Sequence, residues 1–293
     1  MDRMGTSTYR RFVILCFGVW LCPALGVSPL HGQAPDSLTV SATAVDVDLS
    51  GNLYLLDGER GMLSILGPSG APIAAMGGMG WENSKFDNPR GLWGRNGIDV
   101  FVADYGNHRV QRFDRRLNYI STLYTRDNDV PEERFGYPTD VGVSRLGDLF
   151  VCDGENQRLI RIGRDGTTIR SMGDYTAGKG RLVAPTRVDV GANDRVFVVD
   201  GRRVVVLDLF GNYLHDLPLG TAPVAFWADD EGVLAADGRR LYAFDAEERP
   251  CEVVDLEPWL GGRPLLAVAA GRGNLYLLVH GVLLIKPDPR IAK

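Results

Sequence analysis

A chain of 293 residues, 45% apolar and 24% charged, suits a globular protein of one large β domain or two small ones. Its net charge of -5 is not that of a protein built to neutralise a phosphate backbone, which argues against a nucleic-acid partner.

The chain opens with Arg3, Arg10 and Arg11, followed by the apolar run "FVILCFGVWLCPALG" from Phe12 to Gly26. A basic start, a short apolar stretch and small residues such as Ala24 and Gly26 describe a secretory signal peptide over residues 1–34, cut after Gly26 or after Ala34. The alternative is a membrane anchor, against which Pro23 and the short apolar length argue. Neither Cys16 nor Cys22 follows the small residue that lipid attachment needs. The expectation is an exported protein, periplasmic or extracellular, with no membrane span once the leader is gone. Export would leave Cys152 and Cys251, either paired or standing as two small hydrophobes.

The next segment, "SLTVS" from Ser37, is a short strand with no partner nearby. Then a unit repeats. "GNLYLLDGERGMLSIL" starts at Gly51, "GIDVFVADYGNHRVQRF" at Gly97 and "GDLFVCDGENQRLIRI" at Gly147. "NDRVFVVDGRRVVVLD" starts at Asn193, "EGVLAADGRRLYAFD" at Glu231, and a worn copy, "GNLYLLVHGVLLIK", at Gly273. Each is an alternating apolar strand, a tight turn and a second alternating strand. The turn opens on Asp57, Asp104, Asp153, Asp200 and Asp237, and the spacing of about 44 residues is that of a four-stranded propeller blade. Pro89, Pro138, Pro185, Pro223 and Pro264 open a further apolar strand before the second to sixth pairs, the first copy, "ATAVDVDL", lacking the Pro, and segments such as "YISTLY" follow as a fourth. Six such units make an all-β, six-bladed propeller over residues 37–287, with a short tail over 288–293. The sixth copy lacks room for a fourth strand, so the strand at Ser37 is expected to complete it and close the ring.

These repeats resemble the NHL-repeat family of six-bladed β-propellers. "ADYGNHRVQRFD" carries the resemblance most fully, and "CDGENQRLIRI" follows; the sixth copy has lost the Asp and the Arg. Family membership implies the fold, not an activity.

A reaction centre is used once, whereas a side chain repeated around a ring is architectural. Asp57, Asp104, Asp153, Asp200 and Asp237 are therefore expected to accept backbone N–H bonds in their turns. Arg109 and its counterparts Arg158, Arg203 and Arg240 are expected to pair with that Asp or with a neighbouring blade, and His108 belongs to the same turn.

Residues that break the repeat are the candidates for binding. The inter-blade loops are long, and Phe86, Phe135 and Leu182 recur in them as packing residues, whereas Trp81, Arg126, Tyr137 and Tyr175 do not recur. Aromatic and Arg side chains on exposed loops anchor binding surfaces, though these could instead seal the wedges between blades. Arg90, Thr139, Asp140, Thr186, Arg187 and Val224 follow the opening Pro, with Trp227 shortly after, and are expected to face the central channel. Arg90, Asp140 and Arg187 there would hold an anionic ligand, or water and salt links between blades.

The expected function is a non-catalytic scaffold with no cofactor, binding a protein, a peptide or an envelope glycan through the loops at one end; the oligomeric state is left open. The alternative is a metal-dependent lyase or hydrolase. Peptidyl-hydroxyglycine amidating lyases resemble this chain in repeat type and hold zinc with three His. His108, His215 and His280 do not occupy that pattern's place after the opening Pro. The Glu-Gly-Pro opening of the calcium-dependent lactonase-like propellers is missing, and "RDND" at Arg126 is a weak calcium signal.

Overall fold

The computed structural model describes residues 36–291. The expected leader lies outside the described residues. Six four-stranded antiparallel sheets form the ring. Blades one to five run in sequence from the channel outwards and begin with the inner strands Ala44–Val47, Gly91–Trp93, Pro138–Val143, Pro185–Val190 and Ala225–Asp229. Blade six begins with Leu265–Gly271, which packs against the inner strands of both blade five and blade one.

The alternating pattern explains why the sheets must stack. The second strands Leu53–Asp57, Leu149–Asp153, Val196–Asp200 and Gly232–Ala236 are buried at every position, so both faces of each sheet need cover. Burying a Val, Leu or Phe contributes about 1.5–3 kcal/mol, and each wedge between blades collects many of them. Phe86, Phe135 and Leu182, from three inter-blade loops, are fully buried as wedge plugs. Close approach at the axis needs small residues: a Cβ on Gly91 would lie 2.5 Å from the Asp140 Cα of the next blade.

The ring closes through Ser37–Thr39. It pairs antiparallel with Val282–Pro287 in the register Ser37 to Leu284, Leu38 to Leu283 and Thr39 to Val282. The head of the ring thus supplies the outermost strand of the last blade.

The repeated Asp and Arg clamp the loops that lead into each blade. Asp104, wholly buried, accepts from the Asp87 N–H at 2.7 Å, Asn107 Nδ2 at 2.9 Å and Arg109 Nε at 2.7 Å. Arg109 then donates to the Trp81, Glu82 and Lys85 carbonyls of the incoming loop. Asp153 with Arg158 and Asp200 with Arg203 repeat the arrangement one and two blades on. The expectation of turn bonds alone was too narrow. Asp57, Asp153 and Asp237 do accept N–H groups of their own turns, but Asp104, Asp153 and Asp200 also reach across to the preceding loop. Arg240 departs from the set: it is exposed, and Asp237 takes the Tyr242 hydroxyl at 3.0 Å instead. At the other end of the ring a device unseen in the sequence recurs. Asp48, Asp114 and Asp208 each cap a turn through backbone N–H groups and the side chain of the Asn four residues on.

Leu38→Pro removes a ladder donor and leaves the Val282–Pro287 edge open. It is predicted to cost about 1–3 kcal/mol in urea unfolding and to promote association seen by light scattering. An unchanged unfolding midpoint would contradict the closure.

Candidate functional site

The channel is closed by a network of charge. Alternation in the inner strands aims Asp46, Asp189 and Trp227 at the axis on one level, and Asp140 and Arg187 one step towards the loop end. Arg95, just past the inner strand of blade two, reaches across. Its Nε lies 3.1 Å from Asp46, its Nη2 2.6 Å from Asp189, and its Nη1 donates to the Ala228 carbonyl. The guanidinium also stacks 3.5 Å over the Trp227 ring, whose Nε1 donates to Asp229 at 3.0 Å. Arg187 donates to the Leu266 carbonyl of blade six at 3.3 Å, and the Val188 N–H donates to Asp140 at 3.0 Å. The void left among these groups is about 30 Å³, room for about two waters.

Burial pushes the Asp46 carboxyl up to about 6, against the pull of Arg95. Burial likewise pushes Asp140 up to about 7, with Arg187 opposing. Arg90, expected in the channel, is not there. It is exposed at the loop end, its guanidinium 3.5 Å over the Tyr105 ring. Register slips between Pro138 and Asp140 and between Pro185 and Arg187 leave Thr139 and Thr186 outside the ladder. The Thr139 hydroxyl bridges instead to the Pro185 carbonyl at 3.1 Å.

At the loop end three of the predicted residues converge. The Tyr105 and Tyr137 rings are 5.0 Å apart, with Arg90 over the first and Arg126 5.9 Å from the second. His108 packs edgewise on Tyr137 at 4.2 Å, and its buried Nδ1 has no hydrogen-bond partner. Burial, then Arg126, holds the His108 pKa below its usual value. Arg126 also faces Glu155 at 3.7 Å. Trp81 stands on the preceding loop, 56% exposed, edgewise on Tyr124 at 6.0 Å. Tyr175, 82% exposed, projects from the loop after blade three.

The opposite end, where the inner strands turn back, holds a cavity of about 1160 Å³. Of the eight residues picked from the sequence as binding residues, only Trp227 borders it. Asp46, Arg95 and Asp189 were also missed, although a signal was present for one of them: Asp46 interrupts an otherwise apolar inner strand.

The three His among the described residues are spread over the ring. His108 sits in a turn of blade two, His215 on the outer strand of blade four beside Glu248, and His280 in a turn of blade six. Among the described residues no group of three or more His, Cys, Asp or Glu is placed to hold a metal ion. Cys152, buried in blade three, and Cys251, exposed on blade five, are both free thiols.

The folded values of Asp46 and Asp140 lie above the ordinary 3.8, and burial raises Asp189 as well, so these channel carboxyls hold a proton more readily in the folded state. Stability should therefore fall as pH rises from about 4 to about 7. Asp140→Asn keeps an acceptor for the Val188 N–H and removes the charge. It is predicted to match the parent at pH 5 and to exceed it at pH 8 in urea unfolding. The same pH slope in both proteins would contradict the assignment.

No family model matches the chain. NHL repeat-containing protein 3 of Homo sapiens is 25% identical over 194 residues, 59% of this chain and 54% of that protein. Protein brain tumor of Drosophila melanogaster is 30% identical over 47% of this chain and 13% of its own length. The probable peptidyl-alpha-hydroxyglycine alpha-amidating lyase pgal-1 of Caenorhabditis elegans is 33% identical over 31% of this chain and 27% of its own. The chain thus spans about half or less of these relatives. A streptogramin B lyase structure aligns over 87% of both chains with a TM-score of 0.59 and 12% identity. Hydrazine synthase of Kuenenia stuttgartiensis aligns over 88% of this chain and 98% of that chain with a TM-score of 0.59 and 10% identity. At such identity the structures speak to the fold alone. The chain is a six-bladed β-propeller, and its repeats and its NHL repeat-containing relatives are consistent with the NHL-repeat family.

Proposed function

We propose that the protein is an exported, non-catalytic scaffold that binds a protein or peptide partner at the loop end of the ring. The observation that carries this reading is the convergence of Arg90, Tyr105, Arg126 and Tyr137, with Trp81 on the neighbouring loop. The few residues that dominate binding at protein interfaces are enriched in Tyr, Trp and Arg. Here they are held by elements that the repeated Asp–Arg clamps already fix, so little ordering entropy is lost on binding. The basic, then apolar, start of the chain supports export.

The similarity to an amidating lyase makes a metal-dependent lyase or hydrolase the second reading. The dispersal of His108, His215 and His280 over three blades weighs against it.

An Arg90→Ala, Tyr137→Ala double variant is predicted to weaken partner capture from an envelope extract about thirtyfold while keeping the parent unfolding midpoint. Undiminished capture would remove the loop end from consideration. Turnover of an amidation or lactone substrate by the zinc- or calcium-loaded protein would overturn the non-catalytic reading.

A further inference from the structure

At the end of the ring where the inner strands turn back, each blade has an inner turn between its inner and second strands. Blades one to five also have an outer turn there, between their third and outer strands. The six inner turns are not alike. Leu49, Ile98 and Leu146 stand on those of blades one, two and three, 87%, 66% and 60% exposed. The same turns of blades four, five and six expose Asn193, then Asp230 with Glu231, then Arg272.

A second series shows the same division. In blades one to five a register slip near the start of the outer strand leaves its second residue without a partner on the third strand. That residue is Ile73, Ile120 and Ile169 in blades one to three, and all three are exposed. In blade four it is Leu214, half-buried against the wedge core, and in blade five it is Cys251. A bulge re-aims the side chain it carries. A Cβ on Gly67 or Gly163 would lie 3.7 or 3.5 Å from the Cδ1 of Ile73 or Ile169, so both isoleucines reach their outer turns. Six exposed aliphatic residues therefore stand at one end of three consecutive blades.

The charges around them are of mostly one sign. Arg115, Arg116, Arg145 and Arg164 are the exposed basic residues of the turns of blades one to three, and Asp165 is the exposed acidic one. Asp165 accepts from the N–H and the hydroxyl of Thr167. Asp48 and Asp114 cap their own turns, and Asp99 and Asp148 pair with Arg112 and Arg161. Arg164 lies against Gly147, next to Leu146. Arg272 reaches over from blade six and donates to the Ser50 carbonyl, next to Leu49, at 2.8 Å. The exposed carboxylates Asp230 and Glu231 are on blade five, and Asp230 faces Arg145 at 2.7 Å.

We propose that the turn end of blades one to three docks on an anionic lipid bilayer. Leu49, Ile98 and Leu146 enter the boundary between headgroups and acyl chains, the isoleucines lie at its margin, and Arg115, Arg116, Arg164 and Arg272 meet lipid phosphates. Single aliphatic tips set among charges lack the continuous apolar centre of a protein interface. A fluid bilayer closes around each tip separately. The polar inner turns of blades four to six stay in water, and the loop end, at the far side of the ring, stays free for its own partner.

The piece Ala34–Lys293 is one compact unit in which Ser37–Thr39 closes the ring, so it serves for the test without the apolar stretch before it. Sedimentation with vesicles of equal phosphatidylglycerol and phosphatidylcholine is expected to show binding, and phosphatidylcholine alone at least about tenfold weaker binding. Arg115→Gln and Arg116→Gln are each expected to weaken binding to the mixed vesicles about fivefold. A triple variant, Leu49→Ser, Ile98→Ser and Leu146→Ser, is expected to keep the parent urea midpoint, its sites being exposed, and to bind at least about tenfold more weakly. The emission that Leu146→Trp adds to that of the parent is expected to shift to the blue on the mixed vesicles. Trp81→Ser, at the loop end, should change nothing. The proposal is overturned if the mixed vesicles are not bound or if both vesicle types are bound equally. Full binding by the triple Ser variant would reduce the contact to adsorption by charge, and loss of binding in Trp81→Ser would move it to the other end; either result also overturns it.

Discussion

A sheet that is apolar on both faces cannot be stable alone, and this constraint governs the molecule. The strand Leu149–Asp153 buries Leu149, Val151 and Asp153 on one side and Phe150 and Cys152 on the other. Neither face can be given to water. A blade of this kind is stable only between two others, and a row of such blades has no exposed apolar face only when it closes. The short strand at Ser37 matters out of proportion to its length, because it joins the two ends of the row. Once the ring is closed, buried polar groups become tolerable where they find a partner in a neighbouring strand or blade. Arg95 ties Asp46 of blade one to Asp189 of blade four through the channel, and Arg290 ties the tail to Asp229 of blade five.

Much of this was legible in the sequence because propeller strands obey a two-residue period and their turns need a particular residue. The Asp that ends five of the six second strands marks the turn, and the Pro that opens five of the six inner strands marks the entry of the next blade. Phe86, Phe135 and Leu182 were readable as plugs because they recur at a fixed distance from that Pro. The closure was readable by subtraction: one strand was left over at the head and one was missing at the tail.

The candidate sites were legible only in part, for reasons of geometry. Arg90 was read as a channel residue from its place after Pro89, but it lies at the strand's mouth, where the ring of Tyr105 is the better partner. Arg95 lies beyond the end of its strand, so no period could aim it at the axis. The capping by Asp48, Asp114 and Asp208 depends on a second side chain four residues on, a spacing that no strand pattern encodes. The turn-end cavity is bordered by residues of all six blades, a convergence that no single repeat displays.

The account separates the side chains that recur, which build the ring, from those that do not, which give it surfaces. Asp104 tests this division most directly, being wholly buried and the acceptor for Asp87, Asn107 and Arg109. Urea unfolding of Asp104→Asn, run beside a partner-capture assay, reads both sides at once. The account predicts a loss of about 3–5 kcal/mol, because the buried Arg109 is left without its anion, with capture intact in the fraction that stays folded. Unchanged stability with capture or turnover abolished would place chemistry in the repeat and contradict the account.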